Sequence, residues 1–255
     1  MSALPLGADV LSRGLPRNTS RSFATEPKIA ICIICKWVDE SPFVWEQMGG
    51  GTRMAFPGQL VQVMADVLGV SRATVVQYDR VLAENGLRSK HGRGTSAARV
   101  TPGDVANLLI AVGASYPLGL SAKHAAEICK KFSSMVSIGP APAQSDASKL
   151  GLERLAALPE GHSFGDALTA LIECAGKPEF SKLDYGSVWV QFLGPVPAGQ
   201  IVVGHLFGHY RDRRTLKRLR SGVERGLTHA SSVHISSVRA LGALVSSEGV
   251  NEQEG

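Results

Sequence analysis

Three constellations in the 255-residue chain have residue types and spacings that could do chemistry. Cys32 and Cys35, in the run CIIC, have the C-x-x-C spacing of half a zinc site or of a redox dithiol. His205 and His209 stand four apart, the interval at which a helix offers two imidazoles to one metal. Arg72, Ala73, Gln77 and Arg80 are of the types that meet base edges. An arginine forks onto guanine, a glutamine onto adenine, and an alanine leaves room beside a thymine methyl.

The first two constellations lack the partners their chemistry needs. No second cysteine pair follows at metal-ligand distance, since Cys129 and Cys174 stand alone, and a strand of Ile, Cys and Val accounts for CIIC equally well. Between the two histidines lie only Leu206, Phe207 and Gly208, with no Glu, and a strand-like run precedes them, so a metalloprotease motif is absent. His91, His124, His162, His229 and His234 are scattered. There is no phosphate-cradling loop ending in Lys-Ser/Thr, no G-x-S-x-G elbow and no kinase motif. Basic residues near Tyr185 and Tyr210 lack the surroundings of a recombinase site. The expectation is a non-enzyme without catalytic residues, metal or cofactor.

Composition sets the same bounds. Hydrophobic residues make up 44% of the chain, enough to bury a core. The four scattered cysteines exclude a disulfide-stapled secreted module and point to a reducing, cytoplasmic setting. The apolar run at 29–35 is too short to span a bilayer, so no membrane partner is expected. A net charge of +5, from 27 basic against 22 acidic residues, leans mildly towards polyanions.

The elements that would position Arg72, Ala73, Gln77 and Arg80 can be read from periodicity. Leu60, Val63, Met64 and Val67 fall on one face of a helix over 59–68. Gly69 permits the left-handed backbone of a sharp corner, Val70 can tuck into it, and Ser71 can cap the next helix. That second helix ends at Asn85-Gly86, with Val75, Tyr78, Val81 and Leu82 inward and Arg72, Ala73, Gln77 and Arg80 outward. Ala65, four residues before Gly69, is small where the helices cross, and Val75 closes their contact.

The stretch MADVLGVSRATVVQYDRVL, in outline A-x-x-x-G-V-S-x-x-T-V, resembles the helix-turn-helix of bacterial and phage regulators. That resemblance implies that the second helix enters the major groove with its early residues at the bases. LRSKHGRGTSAARV then carries Arg88, Lys90, Arg93 and Arg99 without an acid, with Gly92 and Gly94 to bend it. Read as a β-hairpin wing, it would lay these cations, with Ser71, on phosphates. Thr101, Pro102 and Asp104 open a third helix whose apolar face is Val105, Leu108, Leu109 and Val112. The whole resembles a winged helix-turn-helix domain, and its G-R-G…R-V-T-P-x-D-x-A-x-L-L-x-A ending is similar to small phage-associated proteobacterial regulators. A further helix is expected from Ser121 to Val136, with Ala125, Ile128, Phe132 and Met135 on one side and Lys123, Lys130 and Lys131 on the other.

The expected fold class is α+β: an N-terminal helical winged helix-turn-helix domain at 54–136, a linker at 137–149, and a small mixed domain at 150–247 with an antiparallel β-hairpin. In the mixed domain SFGDALTALIECAG reads as a capped helix burying Phe164, Leu168, Leu171 and Ile172. Val188, Val190 and Phe192 alternate in strand period, residues 195–199 turn, and 201–206 return. A closing strand and a helix capped by Ser236 or Ser237 follow. Residues 248–255 form an acidic tail. Residues 1–53 show no sustained period and read either as a poorly ordered arm or as a gene start placed upstream of a true start at Met54. Arg and Ser bias in RGLPRNTSRSFATEPK suggests a transit peptide, against which stand Pro16, Glu26 and Pro27.

Together these readings lead to a sequence-specific transcriptional regulator whose partner is double-stranded DNA, with a homodimer as an option. The alternatives are an assembly module of phage origin that binds protein, and non-specific packaging through Arg211 to Arg225, with seven basic and two acidic residues.

Overall fold

A computed structural model describes residues 55–89, 99–138, 152–183, 188–204, 206–214 and 228–246. The chain opens with α1 (Pro57–Leu68), where Pro57 takes the first-turn position that needs no N–H donor. Gln59 Oε1 accepts from the Phe56 amide at 2.8 Å, so the helix start is held by its own side chain. The helix stops at Gly69, which adopts φ 63° and ψ 29°, a conformation that any Cβ would strain. After the corner comes α2 (Arg72–Glu84), capped by Ser71 Oγ accepting from the Thr74 amide at 3.2 Å. Asn85 ends it, its Nδ2 donating to the Val81 carbonyl at 2.8 Å.

α3 (Pro102–Leu118) begins in a capping box, Thr101 Oγ1 accepting from Asp104 N while the Asp104 carboxylate accepts from Thr101 N at 3.0 Å. It is apolar on nearly every side and buried accordingly, from Val105 through Ala114 apart from the half-buried Asn107. A single turn of 310 helix (Ala122–His124) leads into α4 (Ala125–Ser133), and β1 (Val136–Ser137) follows. Then come α5 (Glu153–Ala156), α6 (Phe164–Ala175) in its own Ser163–Asp166 capping box, and a second 310 segment, Pro178–Lys182. The remainder is β2 (Val188–Gly194), β3 (Ala198–Val203), β4 (Leu206–Arg211), β5 (His229–His234) and α7 (Ile235–Ser246).

The five strands form one antiparallel sheet in the order β1-β4-β3-β2-β5, so the described chain is a mixed α+β fold. Val190 sits between Ile201 of β3 and Val233 of β5. Along β2, Val188, Val190 and Phe192 are buried while Trp189, Gln191 and Leu193 are half-buried, as the alternation predicts. On that buried face Phe192 meets Phe132 at 5.9 Å and Phe164 at 5.8 Å, and Tyr210 meets Phe164 at 5.2 Å. Gly113 on α3 is what lets the Phe192 ring in, for a Cβ there would lie 2.6 Å from the ring.

Several expectations are corrected. The segments read as separate units share one core: α3 packs on α4 and α6 and on β2 and β5, and α7 packs on α1, where Ser237 Oγ donates to the Val67 carbonyl at 3.1 Å. The physical reason lies in α3, whose apolar surface is too wide for its own neighbours and needs the sheet to cover it. The expected helix over Ser121–Val136 starts only at Ala125, because 122–124 tighten into the 310 turn, and stops at Ser133, because Val136 pairs with Arg211. The hairpin gains a third strand, β4. Ser236 and Ser237 lie inside α7 rather than capping it, since β5 runs straight into the helix.

Candidate nucleic-acid interface

The corner between α1 and α2 is built as its sequence demands. Ala65 is 5% exposed at the crossing, Val75 is fully buried, and Val70 is half-buried. The Val70 amide donates to the Ala65 carbonyl at 3.0 Å, closing α1 across the left-handed Gly69. Val75, Tyr78 and Leu82 face inward with Asp79, while Arg72, Ala73, Gln77 and Arg80 are all exposed on the other side. Val76 shares that outer face at 46% exposure. Sequence reasoning missed it, and its i, i+4 relation to Arg72 and Arg80 is the signal that would have found it.

Arg80 and Glu84 form an ion pair at 2.8 Å on a well-exposed stretch, with the Arg80 side chain 79% exposed. Such a contact is weak and exchangeable. The Ser71 hydroxyl is engaged in capping and lies 2.7 Å from Thr74 Oγ1. Its position at the N-terminus of α2 is a place where backbone amides favour anions.

Arg88 is corrected. Expected on a phosphate, it is instead an internal strut, its guanidinium paired with the Asp79 carboxylate and only 19% of its side chain exposed. The reason is Asp79, an acid on the inward face of α2 that needs a cation. Burial holds the Asp79 carboxyl above the usual range, Arg88 pulls it back, and Asp104 adds to the rise. Arg99 is exposed, whereas Lys90 and Arg93 lie outside the described residues.

The stem of the intervening segment is firmly tied. Asp104 Oδ1 accepts from Ser89 N at 2.8 Å, and Asn107 Nδ2 donates to the Leu87 carbonyl at 2.8 Å. Cys129 Sγ in turn donates to Asn107 Oδ1 at 3.3 Å. On the returning side Val100 N donates to the Ala55 carbonyl at 3.2 Å. The described residues on either side of 90–98 are therefore held in place, Leu87 and Ser89 by α3 and Val100 by Ala55.

The rival constellations offer less. Cys32, Cys35 and His205 lie outside the described residues, and His209 is exposed on β4. Cys129 and Cys174 are free and buried, and burial pushes the Cys129 thiol up to about 12, far from reactivity. No group of three or more metal-ligating side chains occurs among the described residues. Sequence reasoning also missed a buried pair, His162 and Tyr210. His162 Nδ1 donates to the Pro159 carbonyl at 3.0 Å, which leaves Nε2 to accept from the Tyr210 hydroxyl at 2.9 Å. The pair ties the entry of α6 to β4, and burial raises the phenol's pKa. Among the described residues no helix is long and apolar enough to cross a membrane. No protein-family model matches the chain, and neither does any curated protein or solved structure.

Proposed function

We propose that the chain is a sequence-specific DNA-binding transcriptional regulator, with α2 as the helix that enters the major groove. One observation carries this reading. Arg72, Ala73, Gln77 and Arg80 converge on the exposed face of a helix whose opposite face is clamped by a left-handed corner and a buried core. A major groove about 12 Å wide admits one helix, and these side chains suit its donors and acceptors. Val76 would meet a thymine methyl. In this reading the stretch 87–100, of which 90–98 lie outside the described residues, is the wing of a winged helix-turn-helix, with Lys90, Arg93 and Arg99 on phosphates.

The test is selection of the full chain against pooled genomic duplexes at about 150 mM salt, where non-specific contacts weaken. The expected result is enrichment of a single motif, and a palindrome would imply a dimer. Diffuse recovery or none contradicts the proposal. A second reading, that this face docks a protein, draws on the apolar Val76 and on Phe56, 49% exposed before α1. It predicts no salt-dependent affinity for any duplex.

A further inference from the structure

Half of the lysine and arginine side chains among the described residues are already engaged. Arg80 pairs with Glu84, Arg88 with Asp79, Arg154 with Glu173 and Lys177 with Glu153. Arg239 donates to the carbonyls of Phe180, Ser181 and Leu183, and Arg99 and Arg211 also have partners. Among the described residues no carboxylate pairs with Arg72, Lys123, Lys130, Lys131, Lys182, Arg213 or Arg214. Lys182 aside, these unpaired cations lie on α2, on the 310 turn and α4 that pack against it, and just past the end of β4.

Arg72 opens α2. The 310 turn that carries Lys123 packs against α2, and α4 continues from it. Nine residues at 1.5 Å rise make α4 about 14 Å long, and its last turn bears Lys130 and Lys131, both exposed. The chain then enters β1, where Val136 lies opposite Arg211. β4 ends at Arg211, and exposed Arg213 and Arg214 follow two and three residues later in a helical turn, while Lys130 and Lys131 lie six and five residues before Val136, so the Val136–Arg211 pairing brings the two chain segments that carry them together. The acids beside them in sequence are engaged: Glu127 faces His124 Nδ1 at 3.3 Å, and Asp212 Oδ1 accepts from Arg214 N at 3.2 Å.

We infer that Lys123, Lys130, Lys131, Arg213 and Arg214 form a second contact with duplex DNA, gripping the phosphate backbone beyond the groove that α2 enters. This rests on the reading of α2 as the groove helix. Duplex phosphates recur every 3.4 Å of axis on each strand, so the length of α4 matches about four steps. Flexible ammonium and guanidinium tips suit phosphates without discriminating sequence, so this surface adds affinity and salt dependence while α2 supplies the preference.

The experiment titrates the full chain with two labelled duplexes, the motif enriched by selection and a scrambled version, across roughly 50–200 mM salt. The variant K130A/K131A/R213A/R214A changes only exposed side chains, and circular dichroism checks its fold. Weaker binding of both duplexes is expected, with the log–log salt slope flattened by about 0.9 per lost contact, up to about 3.6 for four. The motif preference is unchanged. The two double variants, K130A/K131A and R213A/R214A, each give part of the effect and stand in if the quadruple variant misfolds. An unchanged slope overturns the inference, as does a wild-type chain that binds neither duplex. If wild type shows no preference but its binding falls in the quadruple variant, the reading of α2 fails and the backbone contact stands.

Discussion

α2 and α3 begin alike, with a hydroxyl side chain at the N-cap, yet they make opposite use of their surfaces. α3 is buried over nearly its whole circumference, so almost every residue in it is dictated by what it touches. α2 buries one stripe and leaves Arg72, Ala73, Val76, Gln77 and Arg80 with no packing duty. Side chains that packing does not choose are the ones available to be chosen for recognition. The contrast therefore predicts that substitutions along α3 and its sheet act on stability, while those on the outer face of α2 act on binding alone.

The largest effect is expected in the core. Phe192→Ala, which empties the space between α3, α4 and α6, should cost about 3–5 kcal/mol in denaturant unfolding. A loss below about 1 kcal/mol would mean that the sheet does not need this packing.

Arg88→Ala probes the strut beneath α2, and about 1–3 kcal/mol is expected at pH 7. Here the pH dependence has a definite sign. The folded-state pKa of Asp79 is raised by burial, so the group's contribution to stability is fully present below its unfolded pKa and declines as pH rises through the folded value. Removing Arg88 takes away the attraction that restrains this rise. The variant should thus lose more stability at pH 7 than at pH 4, as unfolding midpoints at the two values would show. An equal loss at both would rule out the pairing as its cause.

Gly69→Ala comes next. An added Cβ meets nothing within 4 Å, so the cost is purely that of the left-handed backbone, about 1–2 kcal/mol. Thermal melting should report it, and a neutral result would indicate that the corner can relax. Smallest of all is Arg72→Ala, expected to change stability by no more than about 0.5 kcal/mol. A larger loss would give Arg72 a structural role and erase the contrast.

How much of this was legible in sequence follows the same division. The α1–α2 corner, the Thr101–Asp104 and Ser163–Asp166 caps and the alternation of β2 were readable, because each depends on neighbours within a few residues. Arg88 was misassigned because its role is set by Asp79, nine residues earlier, whose burial is a tertiary fact. β1 and β4 were hidden for a related reason. Two residues of strand carry no period, and β4 is broken by Gly208, whose missing Cβ makes way for the Tyr210 ring at 2.8 Å. The merging of two expected units into one core was foreshadowed only by the breadth of apolar surface on α3, where residues off the expected face, such as Ile110 and Ala114, are as buried as Leu109. In the candidate site the outward residues of α2 followed from helical period, while the pairing of Val136 with Arg211, which brings together the chain segments that carry Lys130, Lys131, Arg213 and Arg214, is a tertiary fact.

The central claim is that the outer face of α2 reads bases. The most direct test runs the duplex selection in parallel on wild type and Arg72→Ala and compares the recovered motifs position by position. The account predicts that the variant recovers the same motif with one base pair relaxed, at a cost of roughly 1–3 kcal/mol on the original sequence. An identical motif from both proteins, or equal weakening on every sequence, would contradict it.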